Sequence, residues 1–339
     1  MNPSYKVNSG DNEGSSAILV TGGSGYVGTE LVKSLASMGE TVVSMYRHRL
    51  PEPREHVFPV CSDLASEELL AAPLRGVEVV VHLAWERNLL GPEQGSGVSS
   101  VAKNEPKTNN IRLLRNLVAA MEKAKTKRII FVSAFGADFH AEDAFLREKY
   151  CGEICVLNSK IPEKVIVRPG IIYGGDPKRD RFINIIRRIM RFPGLYPVPK
   201  VTGRLYPLHI ADLVKGIIDL VRRPLEEPNK LLDFLGGEGL KIEEVFKLIA
   251  ESENKSGKIG VGSFLGNVLL SLFEKDFKND QSLVRLKNYL VFNKIDDSKL
   301  ILDASIQKNL KGHGKSFKDG VRRKKAGKEA RQVKLAPSR

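Results

Sequence analysis

Residues 17–28 read Ala-Ile-Leu-Val-Thr-Gly-Gly-Ser-Gly-Tyr-Val-Gly. The first five predict a short buried strand, and Tyr26–Met38 predicts the helix that follows it. Between them Gly22, Gly25 and Gly28 stand three apart. Gly22 permits a tight turn, Gly25 lets the backbone approach a pyrophosphate, and Gly28 lets helix and strand pack closely. The helix start at Tyr26 and Val27 then offers free N–H groups to the phosphates. In this strand–turn–helix setting the spacing points to a dinucleotide-binding turn.

The same rhythm continues outward. Strands are expected at Thr41–Tyr46, Val57–Val60, Val77–Leu83, Arg128–Ser133 and Val165–Arg168. Helices are expected from Pro106 to about Ala124 and over Glu142–Leu157. Continuous apolar strands alternating with helices predict an α/β fold: a Rossmann-type doubly wound parallel sheet with helices on both faces. Beyond residue 175 the rhythm loosens. Helices are expected at Arg181–Arg191, Ile210–Arg222, Ile242–Glu253 and Phe264–Phe273, with short strands near Tyr206–Leu208 and Leu231–Phe234. The expected organisation is a flexible N-terminus over 1–15, a nucleotide-binding domain over 16–180, and a smaller, mostly helical substrate or lid region over 181–310, partly interleaved with the sheet. A basic tail without an apolar face follows over 311–339. Leu89–Ser100, rich in glycine and proline, reads as a loop beside the cofactor site.

The 339 residues suffice for a large core, and their 42% apolar and 28% charged composition is globular. Net charge is +14, but residues 311–339 hold eleven Lys/Arg against Asp319 and Glu329, which leaves +5 for the other 310. The basic signal belongs to the tail, where a contact with RNA or an anionic surface competes with plain solvation; one aromatic, Phe317, gives little for base stacking. Three cysteines cannot form a disulfide framework, and Cys151 and Cys155, four apart on an expected helix, read as buried thiols rather than a metal site. With no apolar leader and no run long enough to span a bilayer, a cytoplasmic setting is expected, peripheral membrane contact remaining open.

The Gly-x-x-Gly-x-x-Gly spacing resembles the short-chain dehydrogenase/reductase superfamily, in its extended, NAD-dependent epimerase/dehydratase branch. Further matches follow in order over residues 17–213. Asp63-Leu64 is similar to the acid–apolar pair that contacts adenine. His82-Leu83-Ala84 resembles the turn after the fourth strand, and Asn110 the family's helix-starting asparagine. Arg168-Pro169-Gly170-Ile171-Ile172-Tyr173-Gly174 resembles the segment bordering the nicotinamide, and His209-Ile210-Ala211-Asp212-Leu213 a later helix start. The resemblance thus implies contacts to the cofactor from Asp63, Leu64, Leu83, Ala84, Asn110 and Pro169.

The second strand bears on which nicotinamide is held. NAD enzymes place an acid about 20 residues past the glycines to bind the ribose hydroxyls. Eighteen beyond Gly28 stands Tyr46, followed by Arg47, His48 and Arg49. An arginine can grip a 2′-phosphate bidentately where a carboxylate would repel it. NADP(H) is therefore expected, with NAD(H) possible; solvated loop charges are the alternative reading of Arg47 and Arg49.

In the superfamily a Tyr and a Lys four residues later share a helix face, and the Lys lowers the phenol's pKa. Here Phe145-Leu146-Arg147-Glu148-Lys149-Tyr150-Cys151-Gly152-Glu153 keeps Lys149, implied to reach the nicotinamide ribose, but places Phe145 at the acid position. Phe135 falls where the companion serine belongs. Ser133 remains as a polar contact or a strand-end cap. Tyr150 projects about 100° away from Lys149 on the helix, so Tyr173, near the cofactor by family analogy, is the better substitute acid.

This pattern resembles the atypical branch that includes the NADPH-binding accessory subunit of respiratory complex I and its bacterial relatives, over roughly residues 15–225. Three readings follow. One is an NADP(H)-binding atypical member whose nucleotide role is redox, regulatory or structural, with a protein partner possible. The second is a nucleotide-sugar epimerase, dehydratase or reductase with a substitute acid, using Arg187, Arg188 or Arg204 on a diphosphate; Arg204 lies one residue out of the family's register relative to His209. The third is a non-catalytic binding or scaffold protein. The substrate, small-molecule or nucleotide-linked, is left unnamed, and no metal is expected.

Overall fold

The computed structural model describes residues 16–62, 64–86, 109–141, 143–190, 194–198, 204–255, 257–261 and 316–321. The first half runs β1 (Ala17–Thr21), α1 (Tyr26–Ser37), β2 (Val42–Tyr46), β3 (Val57–Cys61), α2 (Glu68–Ala71), β4 (Val77–His82), α3 (Asn110–Lys123), β5 (Arg128–Val132), α4 (Ala144–Leu157) and β6 (Glu163–Pro169). The second runs β7 (Ile172–Tyr173), α5 (Arg181–Ile189), β8 (Gly194–Val198), β9 (Leu208–His209), α6 (Ile210–Arg222), β10 (Asn229–Phe234), α7 (Ile242–Ser252), β11 (Gly257–Val261) and α8 (Phe317–Val321).

Seven strands form one sheet in the order β10-β6-β5-β4-β1-β2-β3. The pairs from β3 to β6 are parallel. Along β10 the bonds Lys164 N to Pro228 O and Gly170 N to Phe234 O advance together, so that edge is parallel too. This is the doubly wound arrangement that the alternating apolar strands predict. β1 is buried at all five residues, as a central strand covered on both faces must be. In α1, Gly28, Leu31, Val32 and Leu35 are buried, the one-face period of an amphipathic helix.

Two compact units divide the described chain. One takes residues up to 86, then 109–168 and Val214–Leu232; the other takes Pro169–Leu213 and the described residues from Asp233 onward. The return of Val214–Leu232 to the first unit has a visible anchor in Arg128. This buried guanidinium donates to the carbonyls of Leu220 (2.5 Å), Val221 (3.2 Å) and Arg223 (2.9 Å), capping the C-terminal end of α6, and pairs with Glu163.

The first unit's core gathers Leu19, Val43, Met45, Val80, Leu114, Leu117, Met121, Ile129, Phe131 and Ile166. The second unit has its own core, in which Phe182, Ile183 and Ile186 meet Val245, Phe246 and Ile249. Phe317 and Val321 join it from α8, so within the stretch read as lacking an apolar face one turn does bury two side chains. The strands β7, β8 and β11 are additions to the sequence reading: β7 has two residues, β8 contains Pro197 and β11 two glycines, all weak strand signals. The strand expected at Tyr206–Leu208 is instead Leu208–His209, preceded by an isolated antiparallel bridge from Leu205 to Leu240. Cys151 corrects another expectation. It is exposed and Cys155 is half-buried, because the buried stripe of α4 runs through Lys149, Gly152, Glu153 and Val156. Residues 1–15, Asp63, Leu89–Ser100, Pro106, Phe264–Phe273 and the tail beyond 321 lie outside the described residues.

Candidate nucleotide site

The glycine turn is shaped by its own backbone. Gly22 has φ +69°, and a Cβ there would stand 2.9 Å from the Ala84 nitrogen. Gly25 N donates to Gly22 O at 2.8 Å, and a Cβ at Gly25 would meet that same oxygen at 2.9 Å. A Cβ at Gly28 would collide with it outright. Two of the three glycine positions, Gly25 and Gly28, therefore converge on the Gly22 carbonyl, and Gly22 itself is pressed against Ala84. α1 starts beyond Gly25 with no side-chain cap and no acidic residue in its first turn. By contrast, Asp143 caps α4 and Asp180 caps α5. An uncapped helix start in a cradle that a Cβ would fill fits a phosphate-bearing ligand through backbone N–H groups and helix dipole.

The ends of the neighbouring strands close around this turn. Thr21 Oγ1 lies 2.8 Å from His82 Nδ1 and accepts from Leu83 N (3.2 Å) and Ala84 N (3.3 Å), which draws Leu83 and Ala84 beside Gly22. Burial, and secondarily the charge of Lys149, pushes the His82 imidazole down to about 3, so it is neutral at physiological pH. Tyr46 ends β2 half-buried; Arg47 follows on the surface and pairs with Glu86. Asn110, at the start of α3, grips the Glu86 backbone on both sides, accepting from its N–H at 2.8 Å and donating to its carbonyl at 2.7 Å. Leu64 is buried with φ +62°, a left-handed conformation that Asn116 supports by donating to the carbonyls of Leu64 and Ala65.

On α4 the buried face is polar, and most of its groups are taken up from within. Lys149 is 5% exposed. Its Nζ donates to Val132 O at 2.8 Å and stands 4.0 Å above the Trp85 ring, 5.0 Å from Phe131 and 5.9 Å from Phe145. Ser133 Oγ donates to Glu153, a carboxylate 2% exposed that Arg168 clamps through Nε (2.8 Å) and a terminal nitrogen. Glu148 accepts from Trp85 Nε1 and Asn110 Nδ2, both at 3.1 Å, while its other oxygen is buried with no partner. Burial raises its pKa, those two hydrogen bonds offsetting part of the effect. Phe135 and Phe145 are half-buried and carry no titratable group.

In the second unit Pro169 is buried and Tyr173 has no exposed surface. The Tyr173 ring packs 4.7 Å from Phe317 and 5.2 Å from His209, with its hydroxyl 3.4 Å from Ser316 O. Burial first, then nearby carboxylates led by Asp212, drive the phenol's pKa upward. That is the opposite of the activation a proton donor at neutral pH requires. Arg187 is held by Glu253 and Arg204 donates to Gly239 O at 2.8 Å.

Sequence reasoning assigned no role to Trp85, Glu86, Glu148 or Glu153. The available signal was charge on the buried stripe of α4: Glu148, Lys149 and Glu153 fall where an amphipathic helix keeps apolar residues.

Residues 18–231 match the family model described as "NAD dependent epimerase/dehydratase family". The chain is 24% identical over 306 residues to the Dictyostelium discoideum protein named NADH dehydrogenase (ubiquinone) 1 alpha subcomplex subunit 9, mitochondrial, covering 83% of this chain and 79% of that one. It is 25% identical over 266 residues to a UDP-glucose 4-epimerase of Vibrio cholerae, covering 73% and 78%. Among solved structures, a nucleoside-diphosphate-sugar epimerase from Staphylococcus aureus has a TM-score of 0.65 at 17% identity, over 90% of this chain and 98% of that one, a likeness of fold. Among the described residues no helix is long and apolar enough to cross a membrane.

Proposed function

Because this chain belongs to the NAD dependent epimerase/dehydratase family, we propose that it is an atypical, nucleotide-holding member that binds NADP(H) in preference to NAD(H). Its nucleotide serves a redox, regulatory or structural role that does not depend on a tyrosine acid. The observation that carries this reading is on α4. The residue one turn before Lys149 is Phe145, whose ring lies 5.9 Å from the lysine nitrogen and has no proton to give. Loss of general acid–base assistance typically slows chemistry by about 10²–10⁴-fold.

A bound nicotinamide cofactor supplies hydride chemistry. The chain's own residues hold and orient it: Gly22, Gly25, Tyr26, Val27 and Gly28 at the pyrophosphate, Tyr46 and Arg47 at the adenosine ribose, Asp63 and Leu64 at adenine. Leu83, Ala84, Asn110 and Pro169 line its length. Lys149 is the ribose contact, exchanging its bond to Val132 O for a hydroxyl. Titration with NADPH and NADH tests the reading. Arg47→Ala removes a charge-assisted contact of about 1.5–3 kcal/mol, so NADPH should weaken roughly tenfold or more and NADH hardly at all. Equal loss for both nucleotides would overturn the NADP(H) assignment.

The match to a UDP-glucose 4-epimerase favours a second reading, turnover of a nucleotide sugar with a substitute acid. Ser133, engaged with Glu153, and Tyr173, packed among apolar side chains, would first have to be released. Brisk wild-type epimerisation of UDP-glucose that is lost in Lys149→Met would establish it. A likeness to a respiratory-complex subunit supports a protein partner, and a cytoplasmic location is part of the first reading; co-purification and fractionation test these. A contact of the basic tail with RNA or an anionic surface competes with plain solvation, and truncation after Val321 tests it.

A further inference from the structure

Arg47 leaves the end of β2 and Glu86 lies four residues beyond the end of β4, and their side chains meet as an ion pair. Both are partly open to solvent, at 42% and 39% side-chain exposure. Among the described residues Glu86 is the one side-chain partner of the Arg47 guanidinium. An exposed pair of long side chains ordinarily contributes little, because both arms must be immobilised. Here one arm starts from a fixed point. The Glu86 backbone is gripped on its N–H and its carbonyl by the buried Asn110 amide, which also donates to the buried Glu148 carboxylate. A carboxylate is thus delivered to the one arginine that the proposed 2′-phosphate contact needs.

We infer that Glu86 is a specificity-determining residue of the nucleotide site, an internal competitor that occupies Arg47 until a 2′-phosphate displaces it. The inference rests on the NADP(H) reading. Carboxylate and phosphate carry the same sign and seek the same planar donor fork, so both cannot take its bidentate edge without repulsion. NADH has no 2′-phosphate and leaves the pair intact. Glu86 therefore weakens NADPH while leaving NADH untouched, and narrows the gap between the two.

The test is equilibrium titration of NADPH and NADH with wild type, Glu86→Gln, Arg47→Ala and the double variant, at low and at physiological salt. Glu86→Gln keeps the backbone clamp and the side-chain shape. It should tighten NADPH about two- to fivefold, the upper end matching a partly exposed pair worth about 1 kcal/mol. NADH should stay within error, and the gain should shrink at higher salt. In the Arg47→Ala background the same substitution should change nothing. Unchanged or weakened NADPH binding by Glu86→Gln, beside a selective loss in Arg47→Ala, would overturn the competitor role and leave NADP(H) preference standing. Equal tightening with and without Arg47 would overturn it too, as a general charge effect. If Arg47→Ala weakens neither nucleotide or both alike, the NADP(H) reading falls and the competitor with it.

Discussion

The glycine turn and the buried face of α4 belong to one unit and treat their polar atoms in opposite ways. At the turn, the helix start carries no side-chain cap and a Cβ at any of the three glycines would fill the cradle. On α4, Lys149 is spent on Val132 O and the Trp85 ring, and Ser133 and Glu153 on each other and Arg168. The glycine turn is shaped to admit a ligand from outside, whereas the polar groups on the buried face of α4 are met mostly from within, one Glu148 oxygen excepted. A buried polar network whose members are mostly paired stabilises and specifies a core, whereas a backbone cradle that a Cβ would fill suits a ligand.

The largest break in this contrast is expected at Glu153. Removing one partner of a buried ion pair costs about 3–5 kcal/mol, since the other charge stays buried unpaired. Glu153→Ala should therefore lower the unfolding free energy by about that amount in urea denaturation. A loss under about 1 kcal/mol, the worth of a surface pair, would mean that Arg168 finds solvent. Gly25→Val attacks the other side of the comparison. Its Cβ would sit 2.9 Å from Gly22 O, so NADPH binding should fall roughly a hundredfold or more, the worth of one or two charge-assisted hydrogen bonds. Circular dichroism should still report a folded domain. Unaltered binding would place the nucleotide elsewhere.

A smaller effect is expected from His82. Its folded pKa of about 3 lies below the ordinary histidine value near 6.5, so the unfolded chain takes up the proton first. Its contribution is fully present above pH about 6.5 and is lost as pH falls from there toward 3, at up to about 1.4 kcal/mol per pH unit. Chemical denaturation at pH 7 and pH 5.5 should show this slope in wild type and a shallower one in His82→Phe; identical slopes would contradict the burial of a neutral ring.

The smallest effect belongs to Glu148, which opposes His82 in sign. Its folded pKa is raised, so its charged form costs stability and the cost is relieved as pH falls through that raised value. Trp85 is the single tryptophan of the chain and donates to this carboxylate. Its fluorescence should titrate above the ordinary carboxylate range in wild type and stay flat in Glu148→Gln. A titration that survives the substitution would assign the signal to another group.

The sheet was legible because β1, β2, β4 and β5 are short, mostly apolar and buried runs and β6 has such a run at its centre, and the helices α1, α3 and α6 each bury one face at the helical period. The later strands were not, since β7, β8 and β11 are short or interrupted by proline and glycine and owe their pairing to distant partners. The stretch around Phe317 looked merely basic because two apolar residues four apart make no face until a core receives them.

The glycine turn could be read from sequence alone because most of its geometry is local: Gly22 takes φ +69°, and Cβ atoms at Gly25 and Gly28 would both meet the Gly22 carbonyl, all within seven residues. So could the absence of a phenol at Phe145. What each remaining polar group does was decided by the tertiary structure. Lys149 is claimed by Val132 and Trp85, Ser133 by Glu153, Tyr173 by Phe317, and Arg47 by Glu86. Those partners stand 17 to 144 residues away along the chain, and burial and charge pairing are properties of what folding brings near rather than of what lies next in sequence.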